Sequence, residues 1–141
     1  MDSFFQKYQS FAVLGLSRNP RSFSRGAYHF LKEQGYRLYP VTPHADSIDD
    51  IKCAKSLAEI PDVEGAIFFT NPEVSKELLS QCREKGIKNL WFQTGSLAKD
   101  ELAKVKDSGF NATNSCVYLH HPASGFPHNV HKFVVNFWGK D

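Results

Sequence analysis

The chain is predicted to fold as a doubly wound α/β domain around a parallel sheet. Three observations lead there. An amphipathic helical pattern, a glycine and a β-rich run follow one another three times. The runs between the helices are apolar without strict alternation, as strands buried on both faces require. The 141 residues, 41% hydrophobic and 23% charged, have the size and make-up of one globular domain rather than of a disordered chain. Strands alternating with helices imply right-handed βαβ crossovers. The expected architecture is therefore a Rossmann-like parallel sheet in three α/β/α layers, a single domain over residues 1–141.

The elements follow in order. Residues 11–16 form the first strand. The first helix spans Phe23 to Gln34, with Phe23, Ala27, Phe30 and Leu31 on one face. Gly35 ends it at a position of positive φ, ahead of a strand over 36–41. The stretch from Asp46 to Pro61 reads as a loop with a short helix around 56–60. A strand over 66–70 leads into a helix from Pro72 to Lys85, where Asn71 supplies the N-cap, Pro72 suits the first helical position and Gly86 ends the helix. Its apolar stripe is Val74, Leu78 and Cys82. A strand over 89–93 and a helix from Ala98 to Ser108 follow, the latter with Ala98, Leu102 and Val105 on one face and Gly109 at its end. A last strand is expected from Cys116 to Leu119. In the tail over 120–141, Val130, Phe133, Val134, Phe137 and Trp138 recur at helical spacing, which predicts an aromatic helical segment that docks on the sheet or builds a homodimer surface.

Composition excludes several classes. Seventeen Lys and Arg against fifteen Asp and Glu give a net charge of +2, too balanced for a dedicated nucleic-acid binder. The mixed charges over 99–106 read as a solvated helix face. No apolar run approaches the roughly 20 residues that span a bilayer, and Met1 to Phe5 lack the basic start and apolar core of a secretory signal. A cytoplasmic protein without membrane partners is expected. The three cysteines, Cys53, Cys82 and Cys116, are odd in number and far apart, which suggests neither a disulfide framework nor a CxxC metal site. His120, His121, His128 and His131 cluster, but neighbouring histidines on a strand point to opposite faces and no cysteine pair completes a zinc set, so no metal is expected.

In such folds ligands bind beyond the carboxyl ends of the strands. The loop after the first strand runs from Gly15 to Arg25 and combines a glycine, small hydroxyl residues, a helix N-terminus and three arginines, Arg18, Arg21 and Arg25. Helix N–H groups and dipole favour an anion there, and arginines add charge-assisted bonds to phosphate. The dinucleotide fingerprint GxGxxG fails, because Ser17 and Pro20 stand where glycines belong. NAD also calls for an acid at the end of the second strand to bond the ribose. That strand ends Tyr39-Pro40-Val41-Thr42-Pro43-His44, with a potential cation and no acid before Asp46. The pattern argues for a nucleotide with an extra phosphate on its ribose, a description that fits NADP too.

Five segments, Phe11-Ala-Val-Leu-Gly-Leu-Ser17, Pro40-Val-Thr-Pro43, Phe68-Phe-Thr-Asn-Pro-Glu73, Trp91-Phe-Gln-Thr-Gly95 and Cys116, occur in an order and spacing that resemble the CoA-binding domain of the succinyl-CoA synthetase α-subunit, most closely its small stand-alone relatives. The resemblance covers roughly residues 11–119. It implies a ligand, coenzyme A or an acyl-CoA, and a site. Gly15, Leu16, Ser17, Arg18 and Ser24 would cradle the pyrophosphate. Val41, Thr42, Pro43 and His44 would flank the adenosine and its 3′-phosphate. Phe69, Thr70, Asn71 and Pro72 would pack on the nucleotide or the pantetheine, with Gln93, Thr94, Gly95 and Cys116 nearer the pantetheine end. Stand-alone relatives commonly carry a basic residue where His44 stands, and often an arginine where Thr70 and Asn71 stand. The 3′-phosphate grip is thus expected to be weaker, pH-dependent, or supplied by Arg18 or Arg21.

The resemblance does not bring catalysis, since the synthetases place their phosphohistidine outside this domain. The residues agree: no Ser-His-Asp order, HExxH, P-loop or carboxylate pair stands out. Binding without turnover is expected. The alternatives are an NADP- or NAD-binding Rossmann module acting as a redox sensor, and one subunit of a CoA-ligase-like enzyme. Cys116 is read as a small buried residue; the sharper alternative is a mixed disulfide with the thiol of CoA.

Overall fold

The computed structural model describes residues 4–98 and 100–115. In chain order the elements are α1 (Phe4–Lys7), β1 (Ser10–Leu14), α2 (Phe23–Glu33), β2 (Arg37–Val41), β3 (Ser47–Ile48), β4 (Ile51–Lys52), a 3-10 turn (Leu57–Glu59), β5 (Gly65–Phe68), α3 (Pro72–Lys85), β6 (Asn89–Phe92), α4 (Glu101–Asp107) and β7 (Asn111–Asn114). Five strands make one sheet in the order β2-β1-β5-β6-β7, every pair parallel. β3 and β4 form a separate antiparallel hairpin.

Strand period decides the layers. Ala12, Leu14, Ala66, Phe68, Leu90 and Phe92 pack with Cys82 and Val105, from α3 and α4. Their neighbours Phe11, Ile67 and Trp91 pack on the opposite face with Phe4, Phe5, Ala27 and Leu31, from α1 and α2. Val13 continues that face, with Tyr28, Ile48 and Ile51. β1 and β5 are buried along their whole length, which is why their sequences do not alternate. Cys82 lies in this core, and burial pushes its thiol up to about 12, far from any reactive range.

The caps act as their residue types dictate. Asn71 accepts a 2.9 Å bond from the Val74 N–H and Pro72 opens α3, which ends at Gly86 in the left-handed region (φ 86°). Gly35 and Gly109 also have positive φ.

Other elements differ from expectation. The fourth helix begins at Glu101 rather than Ala98, because the residues after β6 are spent on a turn in which the Ser96 N–H and Oγ both donate to the Gln93 carbonyl. The last described strand is 111–114; it pairs with β6 from Asn89↔Asn111 to Phe92↔Asn114. Cys116 to Leu119, expected as that strand, and the aromatic tail lie outside the described residues. Val74, placed on the apolar stripe of α3, is 37% exposed at the helix's first turn. Between β2 and β5, where a loop was expected, the β3–β4 hairpin precedes a bridge in which Ala54 pairs with the edge of β2: it donates to the Pro40 carbonyl (2.9 Å) and accepts from the Thr42 N–H (2.8 Å). Ala54 thus stands where a sixth strand would run.

Candidate functional site

From β1 the chain passes through α2 to β2 on one side, and later returns to β5 on the other. The strand order reverses at β1, and the loops there diverge to leave a cleft. Gly15 leaves β1 at this point with φ 91°, and a Cβ on it would lie 2.8 Å from Thr70 Cγ2 and 2.9 Å from the Phe69 carbonyl carbon and the Thr70 nitrogen. The loops after β1 and β5 therefore touch, and a cavity opens on each side of the contact.

The first cavity, about 340 Å³, is lined by Gly15, Ser17, Ser24, Phe69, Thr70, Asn71, Gln93, Thr94 and Gly95, together with Ser22, Phe23 and Ser96. The second, about 450 Å³, is lined by Val41, Thr42, Pro43 and His44 as well as Gly15, Phe69, Thr70 and Asn71. Most residues singled out in the sequence thus converge on one cleft. Three do not line it. Leu16 is buried with Val13 and Tyr28, so only its backbone is available to a ligand. Pro72 serves as the first residue of α3. Arg18 instead reaches across the loop, donating from Nη2 to the His44 carbonyl (2.7 Å) and joining the β1 loop to the turn after β2. Cys116 lies outside the described residues.

Hydroxyls organise the loop after β1. Ser24 Oγ accepts from the Ser17 N–H (2.9 Å), Ser17 Oγ from the Asn19 N–H (3.0 Å), and Ser22 caps α2 by accepting from the Arg25 N–H. Of the three arginines read as phosphate-facing, Arg25 is a correction: its side chain is 5% exposed, and it donates to the Ser17 and Arg18 carbonyls and to Asp49.

The second cavity contains residues that sequence reasoning missed. Lys55 and Ser56 line it, brought there by the Ala54 bridge. Lys55 Nζ lies 3.4 Å from Asp46 Oδ1 with both side chains exposed, a pairing that a stronger anion can displace. Leu14, Val41, Val74 and Leu78 supply an apolar wall, and Glu77 and Gln81 a polar rim. The exposure of Val74 follows from this, since the first turn of α3 borders the cavity. The sequence offered no signal that singles out Lys55, one of two lysines with Lys52 in a stretch without periodicity.

A buried serine ties the first cavity together. Ser75, fully buried in α3, donates from Oγ to the Ser96 carbonyl (2.5 Å) and pairs with Thr70 Oγ1 (2.6 Å). It links the loop after β5 to the turn after β6. Ser75→Ala should cost about 1–3 kcal/mol by leaving those partners unsatisfied, while Ser75→Cys should cost less; urea unfolding of the two variants measures the difference.

No acidic residue lies at the end of β2 before Asp46. Among the described residues no group of three or more His, Cys, Asp or Glu could hold a metal, and the four tail histidines lie outside them. No described helix is long and apolar enough to cross a membrane.

The geometry is that of a Rossmann-like domain with a two-chambered cleft at its switch point. The chain belongs to the CoA-binding domain family, whose model matches residues 9–122. It is 35% identical over 101 residues to the α subunit of the ADP-forming acetate–CoA ligase II of Pyrococcus furiosus, covering 70% of this chain and 22% of that one. Against the ADP-forming acetate–CoA ligase II of Archaeoglobus fulgidus it is 38% identical over 90 residues, 62% of this chain and 13% of the relative. The chain therefore spans only a minor part of these ligases. The uncharacterized protein YneT of Bacillus subtilis is closer in size, 28% identical with 74% of this chain and 78% of YneT covered. Among solved structures, a hypothetical protein from Pyrococcus horikoshii superposes with a TM-score of 0.73 at 27% identity, covering 81% of each chain. A conserved hypothetical protein from Pyrococcus furiosus gives 0.68 at 28% identity, with 77% of this chain and 93% of that one covered.

Proposed function

We propose that this protein binds coenzyme A or an acyl-CoA and performs no chemistry of its own. The observation that carries the reading is the pair of cavities meeting at the contact of Gly15 with Phe69 and Thr70, with the β1 loop and the N-terminus of α2 lining the smaller one. The pyrophosphate sits over residues 15–18 and the first turn of α2, where helix N–H groups lack intrahelical acceptors. The adenosine occupies the larger cavity against Val41, Val74 and Leu78. Its 3′-phosphate meets Lys55 and the imidazole of His44 at that rim, with the Arg18 guanidinium bonded to the His44 carbonyl beside them. The pantetheine runs through the smaller cavity past Gln93, Thr94 and Gly95. The missing acid after β2 favours this ligand over NAD.

Titration calorimetry with CoA, dephospho-CoA, NADP and NAD tests the reading. CoA should bind tightest, and dephospho-CoA about 10–100-fold more weakly, the worth of one or two charge-assisted bonds. Preference for NADP or NAD would move the protein to the redox-sensor class. The similarity to ADP-forming acetate–CoA ligases favours a second reading, in which the chain is one subunit of a CoA ligase. Purification of the tagged protein from its own cells would then recover a second chain in stoichiometric amount.

A further inference from the structure

Arg25 stands out among the charged side chains of the described residues. Its side chain is 5% exposed, and Nη1 donates to the carbonyls of Ser17 (3.4 Å) and Arg18 (3.2 Å) while Nη2 donates to Asp49 Oδ2 (2.7 Å). Its Nε is buried without a hydrogen-bond partner. A buried guanidinium with an unused donor is a poor way to gain stability, and asks for another reason to be there. Asp49 occupies the turn of the β3–β4 hairpin with φ 54°, a left-handed conformation that few residues other than glycine adopt. It lines neither cavity.

A trans peptide holds its N–H opposite its carbonyl. Anchoring the Ser17 carbonyl on Arg25 therefore turns the N–H of Arg18 the other way. The two flanking N–H groups have partners within the loop: that of Ser17 donates to Ser24 Oγ and that of Asn19 to Ser17 Oγ. We propose that Arg25 and Asp49 are positioning residues for anion binding: Arg25 draws the Ser17 and Arg18 carbonyls back so that the Arg18 N–H faces the bound phosphate, and Asp49 in the hairpin holds Arg25 there. The hairpin, which lies outside both cavities, thereby becomes part of the phosphate site. Its two strands anchor it through Ile48 and Ile51 in the core, and its turn presents the Asp49 carboxylate to Arg25. This rests on the reading of the loop as the pyrophosphate cradle.

The test uses the full chain and the variants Asp49→Asn, Asp49→Glu and Arg25→Lys. Asp49→Asn tolerates the same backbone conformation but removes the charge. It should weaken CoA about tenfold, the loss of one charge-assisted contact, with a thermal midpoint close to that of the wild type. Amide exchange at Arg18 in the unliganded protein should speed up in Asp49→Asn and return toward the wild-type rate in Asp49→Glu. Arg25→Lys keeps the charge without the fork that reaches three acceptors, and should behave as Asp49→Asn does. Wild-type CoA affinity and unchanged Arg18 exchange in Asp49→Asn would overturn the proposal. A wild-type protein that binds no CoA would overturn the ligand reading instead, and the Arg18 exchange rates would still decide whether the hairpin positions the loop.

Discussion

Gly15→Ala is expected to destabilise the fold by about 2–5 kcal/mol, from a left-handed backbone and a steric overlap together, and to remove measurable CoA binding at temperatures where the variant is still folded. The methyl group would arrive 2.8 Å from Thr70 Cγ2 and 2.9 Å from two backbone atoms of the Phe69–Thr70 peptide. A side chain can rotate away, but the peptide is held by the Phe69 N–H donating to the Leu14 carbonyl (2.7 Å), one residue before Gly15 itself. The overlap can be relieved only by parting the loops after β1 and β5, and both cavities are built on their contact. Gly35→Ala is the control. It has a similar φ of 96° but nothing within 4 Å of the new Cβ, so it carries the backbone cost alone, about 1 kcal/mol. Urea unfolding and CoA titration of both variants separate the terms. Equal effects at the two glycines would show that the close approach at the switch point has no role in the site.

The contrast between those glycines also shows what a sequence can carry. Local signals were legible. Asn71, Pro72 and Gly86 bracket α3 because capping chemistry acts within a few residues, and the buried strands β1, β5 and β6 announce themselves as apolar runs. Gly15 was legible as a strand end, but the close approach that leaves no room for a Cβ there is to a residue 55 positions away. The strand over 111–114 was not legible because Asn111-Ala-Thr-Asn114 buries only Ala112 among polar neighbours. The short elements, α1 and the β3–β4 hairpin, are below the length at which periodicity can be read. The residues of the cleft were legible through ordered motifs in the loops after each strand. Arg25 was misread because its charge suggested solvent or phosphate, and only the fold reveals that two backbone carbonyls and Asp49 surround it. Val74 erred the other way: helical period assigns it to the core, but the helix extends past the sheet and its first turn borders the cavity.

Trp91→Ala carries the second large effect, an expected loss of about 3–5 kcal/mol, or a fall in thermal midpoint of about 10–20 °C for a domain of this size. Trp91 is fully buried on the α1–α2 face of β6, with its ring 5.2 Å from that of Phe4 and 4.8 Å from that of Phe5. Its indole N–H donates to the Ser115 carbonyl (2.9 Å) beyond the end of β7. One side chain therefore fastens the N-terminal turn to the sheet and secures the end of the neighbouring strand β7. Removing it leaves a cavity that a parallel sheet, fixed by its ladders, cannot close by local collapse. Trp91→Phe separates the two roles. It preserves most of the aromatic packing but drops the bond to Ser115, a cost of about 0.5–1.5 kcal/mol. The strand continues directly into Gln93 and Thr94 at the cleft, so in the alanine variant CoA affinity should fall along with stability, while the phenylalanine variant should retain it. An alanine variant as stable as the phenylalanine one would mean that the hydrogen bond, and not the aromatic cluster around Phe4 and Phe5, holds this face together.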